Sequence, residues 1–209
     1  MTIWNNIYSD YQKGGEAWAS LKESLLPRFV TFVQNNEFNE KSAFDIGVGT
    51  GKYLAYLKNL GFAIAGIDSS EVAVEMTKKV LDSDTNVLCV NMYEYEIPEN
   101  RYDFIFSIST IYHGTKKEVI SLLDQIYYKI MPGGKIFITL PDTASSKNWK
   151  TFKESKETSP GTYIPQTGPE KGLPHSFFSA QEISNIFSKF SKVEFELGDK
   201  GKWCIMGQK

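Results

Sequence analysis

Between Asp45 and Gly51 the chain reads Asp-Ile-Gly-Val-Gly-Thr-Gly, an acid followed by Gly47, Gly49 and Gly51. Glycine lets a chain turn sharply from strand to helix while its backbone touches a ligand. A phosphate-cradling P-loop would need glycine where Ile46 stands and a hydroxyl where Tyr53 stands, so that reading fails. A dinucleotide fingerprint would need Gly or Ala where Lys52 stands. What remains is an acid two residues before the first glycine, with a second acid, Asp68, closing the next apolar run. Both acids also have plainer readings, Asp45 as a turn cap and Asp68 as a helix cap.

Two histidines are the other chemical candidates. His113 follows the run Ser107-Ile108-Ser109-Thr110-Ile111-Tyr112, and its imidazole could take a proton from a hydroxyl or amine. The alternative is a loop histidine bonded to backbone near Thr115. His175 lies in Gly172-Leu173-Pro174-His175-Ser176-Phe177-Phe178-Ser179. With Tyr112 and Phe178 it is a candidate substrate contact. Equally, Phe177 or Phe178 staples against Ile183 and His175 only packs. The histidines are far apart and match no zinc spacing, so no metal site is expected. Cys89 and Cys204, each within an apolar run, read as buried free thiols.

These residues are placed by an alternation of apolar runs and helical patterns over residues 42–142. Runs at Ala43–Ile46, Phe62–Ile67, Val87–Val90, Tyr102–Ile108 and Lys135–Leu140 read as strands. The intervening helices carry Leu54, Leu57 and Leu60, then Val72, Met76 and Val80, then Val119, Leu122, Leu123, Ile126 and Ile130. Thr115 with Glu118, and Ser179 with Glu182, are capping-box pairs. Strand alternating with helix implies a parallel sheet covered on both faces. Two closing runs, Lys192–Leu197 and Lys202–Gly207, flank the tight Gly198–Gly201 connection and must pair antiparallel. The expected fold is α/β and Rossmann-like, with seven mostly parallel strands, one of them reversed.

The whole pattern resembles the class I S-adenosylmethionine-dependent methyltransferases. The resemblance rests on Asp45-x-Gly47-x-Gly49-x-Gly51, Gly66-Ile67-Asp68-Ser69-Ser70, Asn91-Met92, Tyr102-Asp103-Phe104-Ile105 and Met131-Pro132-Gly133-Gly134-Lys135, in the family's order. It implies S-adenosylmethionine as cofactor and S-adenosylhomocysteine as product. It further implies that Gly47, Gly49 and Gly51 pass under the amino-acid end of the cofactor, near its ammonium partner Asp45. Asp68 and Ser69 would hold the ribose, Asn91 and Met92 the adenine, and Ser107 the methionine portion. Family members often carry Asp followed by an apolar residue where Asn91-Met92 stands. Tyr8 and Tyr11 resemble leading tyrosines that close over the cofactor. The chain also shares some likeness with tellurite-type methyltransferases.

The expected organisation is one domain. Residues 1–41 form a helical lid, with Trp18, Leu21 and Leu25 on one face and Pro27 as a break or second start. Residues 42–142 form the cofactor core, 143–178 an insertion over the substrate pocket, and 179–209 the final helix and strands. A net charge of −2 offers no basic surplus for a phosphate backbone, and the Asn/Asp-Pro-Pro-aromatic signature of nucleic-acid methylating enzymes is absent. No run spans a bilayer and no signal peptide opens the chain, so a cytoplasmic monomer or homodimer with a small-molecule partner is expected. A cofactor-binding protein without catalysis and a nicotinamide-dependent oxidoreductase are the competing functions.

Overall fold

The computed structural model describes residues 2–14, 24–145, 154–198 and 200–209. Seven strands make one sheet: β1 (Ser42–Ile46), β2 (Ala63–Asp68), β3 (Asn86–Cys89), β4 (Phe104–Ser107), β5 (Lys135–Pro141), β9 (Ser191–Leu197) and β10 (Lys202–Gln208). Their order is β3-β2-β1-β4-β5-β10-β9. All neighbours run parallel except β10, which is antiparallel to both β5 and β9. The order reverses direction at β1 and β4, leaving a crevice beyond their carboxyl ends.

Helices cover both faces: α2 (Pro27–Asn35), α3 (Lys52–Asn59), α4 (Glu71–Val80), α5 (Lys116–Lys129) and α6 (Ala180–Ile186), with α1 (Ile3–Gln12) beside α4. One core packs α5 and α6 on the sheet through Ile105, Leu122, Ile126, Ile138 and Phe187. The other packs α2, α3 and α4 through Phe29, Phe104, Phe106, Leu54 and Val74. Both expected capping boxes form, on α5 and α6, each satisfying orphan helix amides. Pro27 opens α2, where its missing N–H costs nothing.

Several expectations need correction. Leu60 lies past the end of α3 and is 40% exposed, so only Leu54 and Leu57 form that apolar face. Helix α4 buries Ala73, Val74 and Thr77, whereas Val80 is exposed. The glycine loop runs beside this helix, and Thr77 Oγ1 donates to Gly49 O at 3.1 Å, so small residues are required there. Cys89 is exposed; only Cys204 is buried. Trp18 and Leu21 lie outside the described residues.

The insertion contains a second sheet of β6 (Ser155–Ser159), β7 (Thr162–Pro165) and β8 (His175–Ser176). Pro160-Gly161 makes its turn, with Gly161 at φ +73°. The strand Ser-Lys-Glu-Thr-Ser is largely exposed, so it shows no apolar alternation. Ser176 N donates to Tyr112 O at 2.9 Å, and Ser176 Oγ to Gly114 O at 2.7 Å. These bonds fasten the small sheet to the loop after β4.

Candidate active site

The glycine loop follows β1 directly. Gly47 N and Val48 N both donate to Ile67 O, at 2.8 and 3.0 Å, which bends the loop across the end of β2. Gly47 has φ +92° and Gly49 φ +55°. A Cβ on Gly47 would lie 2.6 Å from Thr110 Cβ, and one on Gly49 would lie 2.8 Å from Tyr8 Oη. The loop is therefore bare backbone because side chains on both sides approach it. Gly51 serves the helix instead of the cavity. At φ +78° it caps α3 against Thr77 and is not among the cavity-lining residues.

Asp68 ends β2 and is buried. Its Oδ2 accepts from Gly49 N at 3.0 Å and its Oδ1 from Ser70 N at 2.9 Å. Burial raises its pKa to about 6, against the opposing pull of the backbone amides of Ser70, Gly49 and Ser69. Each oxygen keeps further acceptor capacity for a ligand hydroxyl. Asp45 is also raised well above the usual carboxylate range, first by burial and then by the charge of Asp68. A cationic ligand between two such acids would relieve their repulsion.

Helix α1 walls the same space. Thr2 caps it, and Ser70 Oγ donates to Asn5 Oδ1 at 2.7 Å, tying it to the start of α4. Trp4, Ile7 and Tyr8 face a cavity of about 770 Å³ that also receives Asp45, Gly47, Gly49, Asp68, Ser69, Asn91 and Met92. That volume lies within the roughly 300–1,000 Å³ typical of small-ligand sites. Burial and the charges of Asp68 and Asp45 hold the Tyr8 phenol neutral.

Other expected contacts fall differently. Asn91 Oδ1 accepts from Tyr93 N at 3.1 Å, so the oxygen meant for an adenine amino group already closes a turn. Ser107 is fully buried and donates to Ile46 O at 2.8 Å; it joins β4 to β1 and is not among the cavity-lining residues. Tyr11 and Phe178 are not among them either, and Phe178 is a core residue over which Lys116 stands.

The loop after β4 lines the same cavity, with its Thr110 against Gly47. Tyr112 and His113 line it with Ser109, Thr110, Leu173, Pro174 and Lys202. Lys202 Nζ donates to Tyr112 Oη at 2.8 Å and to Ser109 Oγ at 2.9 Å. Trp4 from α1 meets His113 edge-on, with ring centroids 4.8 Å apart. His113 Nδ1 is 2.8 Å from Thr110 O, so that nitrogen carries the proton. Burial, then His175 and Lys202, lower the His113 pKa well below its ordinary value. His175 stands behind it, ring centroids 4.8 Å apart, with its Nδ1 bonded to Leu173 O at 2.9 Å. The fold thus unites two histidines that sequence spacing separated. It adds Glu170, which nothing in the sequence had marked.

The sheet order, the reversed strand and the glycine loop flanked by two acids define a class I S-adenosylmethionine-dependent methyltransferase fold. A methyltransferase domain family model matches residues 17–191, and the chain belongs to that family. Among curated relatives, a malonyl-[acyl-carrier protein] O-methyltransferase of Priestia megaterium is 26% identical over 86% of this chain. The chain spans 64% of that relative's length and 33% and 46% of two further ones. A Pyrococcus horikoshii structure aligns with TM-score 0.73 at 14% identity, covering 100% of this chain and 99% of that one. A Burkholderia thailandensis 1,6-didemethyltoxoflavin-N1-methyltransferase, solved with its substrate and S-adenosylhomocysteine, aligns with TM-score 0.66 at 13% identity over 99% and 87% of the chains.

Proposed function

We propose that this protein transfers the methyl group of S-adenosylmethionine to a small molecule bearing a hydroxyl, amine or thiol. The supporting observation is the bare backbone at Gly47 and Gly49, set between Asp45 and Asp68 in one cavity. Only a ligand that touches backbone and satisfies two buried acids fits that arrangement. The sulfonium supplies an electrophilic methyl group already activated by its charge. Asp68 and Ser69 would accept from the ribose hydroxyls, and Asp45 from the ammonium. Met92 would offer an apolar edge and a backbone amide to the adenine.

The protein's remaining work is alignment and exclusion of water. Trp4, Ile7 and Tyr8 close the cavity from α1, acting with the insertion as a lid. The acceptor would lie against Tyr112 and His113. With its Nδ1 proton held by Thr110 O, His113 has Nε2 as its one basic atom. A relative named for phosphoethanolamine and a structural neighbour named for 1,6-didemethyltoxoflavin support a small acceptor. Cys89 and Cys204, both thiols rather than halves of a disulfide, support a cytoplasmic setting. Among the described residues no helix is long and apolar enough to cross a membrane.

Family membership favours neither a nicotinamide-dependent oxidoreductase nor a binder without catalysis. Titration calorimetry with S-adenosylhomocysteine and NAD side by side separates these readings. Micromolar binding of the first alone is expected, followed by methyl transfer in an acceptor screen. Binding of NAD alone would overturn the proposal, and binding of S-adenosylhomocysteine without turnover on any acceptor would point to a sensor.

A further inference from the structure

His113, Glu170 and His175 come from the loop after β4 and from the far end of the insertion, yet their donor atoms lie within 4.8 Å of one another. His175 Nε2 is 3.3 Å from Glu170 Oε2, and His113 Nε2 is 3.8 Å from Glu170 Oε1. Each ring's Nδ1 faces a backbone carbonyl, which can only accept. Both Nδ1 atoms therefore carry protons, so in the neutral rings each Nε2 is the acceptor atom, and each lies beside the Glu170 carboxylate. His113 Nε2 is buried and has no hydrogen-bond partner among the described residues. Glu170 is also withdrawn from water, its side chain 12% exposed.

We propose that His113, Glu170 and His175 bind one divalent first-row transition-metal ion, of the Zn2+ type. Two imidazoles and a carboxylate are a donor set that such ions prefer. Metal-ligating histidines ordinarily donate the second ring N–H to a carbonyl or carboxylate, which fixes the tautomer. Both rings already do so here. Tetrahedral bonds of about 2.0–2.1 Å set donors roughly 3.3 Å apart. The His175–Glu170 separation meets that figure at one carboxylate oxygen, and the His113–Glu170 separation exceeds it by about half an ångström at the other. The three donors lie within 4.8 Å of one another, so the side chains must draw together to close on an ion.

The ion has a structural consequence. It clips the 170–175 segment, whose Leu173 and Pro174 line the cavity, onto the loop carrying Tyr112 and His113. The metal thereby shapes the acceptor end, a role that rests on the methyltransferase reading; the metal site itself does not. It also replaces the free-base role for His113, because Nε2 would be a ligand.

The test uses the full chain with Cys89→Ser, which removes the exposed thiol as a competing ligand. After chelator treatment and dialysis, Zn2+ is titrated by competition with a chromophoric chelator, and Co2+ is followed by visible absorption. One equivalent should bind, at submicromolar affinity. Glu170→Gln and His175→Ala should each weaken Zn2+ at least a hundredfold while S-adenosylhomocysteine affinity stays within threefold, which shows that they remain folded. No stoichiometric Zn2+ in protein that binds S-adenosylhomocysteine, or equal Zn2+ affinity in all variants, would overturn the metal site. Stoichiometric Zn2+ without S-adenosylhomocysteine binding would leave the site standing and sink the methyltransferase reading instead.

Discussion

The carboxylate of Asp68 accepts a hydrogen bond from the backbone amide of Gly49 at 3.0 Å, so the acid that ends β2 also holds the loop that ends β1. One residue fixes the cradle and faces its occupant. A folded-state pKa near 6, against roughly 3.9 for a free Asp, means that the folded protein takes up the extra proton between those values. The penalty for burying the charge is therefore fully present above about pH 6 and vanishes below about pH 4. A ribose hydroxyl donates more strongly to the ionised form. S-adenosylhomocysteine affinity should accordingly rise from about pH 5 to about pH 7.5. Asp68→Asn should lose about 1–3 kcal/mol of binding at the upper end and much less at the lower. Calorimetry across that range checks both, and a constant gap between the two proteins would remove Asp68 from the ribose.

Gly47 and Gly61 separate steric need from backbone need. Both have positive φ, +92° and +83°, but a Cβ on Gly47 runs into Thr110 while one on Gly61 meets none of the described residues within 4 Å. Gly61→Ala should cost about 1 kcal/mol of stability, from backbone strain alone. Gly47→Ala should cost about 2–5 kcal/mol, adding overpacking to strain. It should also abolish cofactor binding, because Thr110 must move into the cavity. Chemical denaturation measures the first difference, and titration with S-adenosylhomocysteine the second.

The contrast between those glycines shows what the residue order carries. That Asp45, Gly47, Gly49 and Asp68 share one cavity was legible because the motif is local: the acid, the bend and the next strand end lie within 24 positions of each other. The boxes at Thr115 and Ser179 were legible for the same reason. Helix α4 misled, since Val72, Met76 and Val80 obey helical spacing while the buried face is Ala73, Val74 and Thr77. Apolar size suggested one face, and the close approach of the glycine loop dictated another. Ser107 was misplaced because strand-end position does not say which way a side chain points. The trio of His113, Glu170 and His175 was illegible because the β7 to β8 pairing, made by strands without apolar alternation, brings it together.

Tyr8 tests the closure of α1. Its phenol stays neutral between Asp45 and Asp68, so it can donate a proton but not repel the acids. Tyr8→Phe keeps the ring and removes the donor. Cofactor affinity should fall by about 0.5–1.5 kcal/mol, with the melting temperature of the unliganded protein nearly unchanged. Tyr8→Ala should do more, opening the cavity beside Gly49 and costing both stability and affinity. If Tyr8→Phe binds S-adenosylhomocysteine as the parent does, the tyrosine is only a wall.

Tyr112 and Lys202 test the proposed acceptor contacts. The phenol is buried and close to Glu170, both of which push its pKa upward, so it remains protonated and accepts from Lys202 Nζ at 2.8 Å. Lys202 is itself held over the Tyr112 ring, 4.9 Å from its centroid. Tyr112→Phe leaves the ring in place and deprives the ammonium of one acceptor, so the lysine should swing toward Ser109 and the cavity. Once an acceptor is found, kcat/KM should fall about tenfold, the equivalent of roughly 1.4 kcal/mol or one hydrogen bond. Affinity for S-adenosylhomocysteine should stay within twofold, because the substitution leaves Asp45, Asp68 and the glycine loop untouched. Parallel losses in both measurements would mean that Tyr112 serves both ligands.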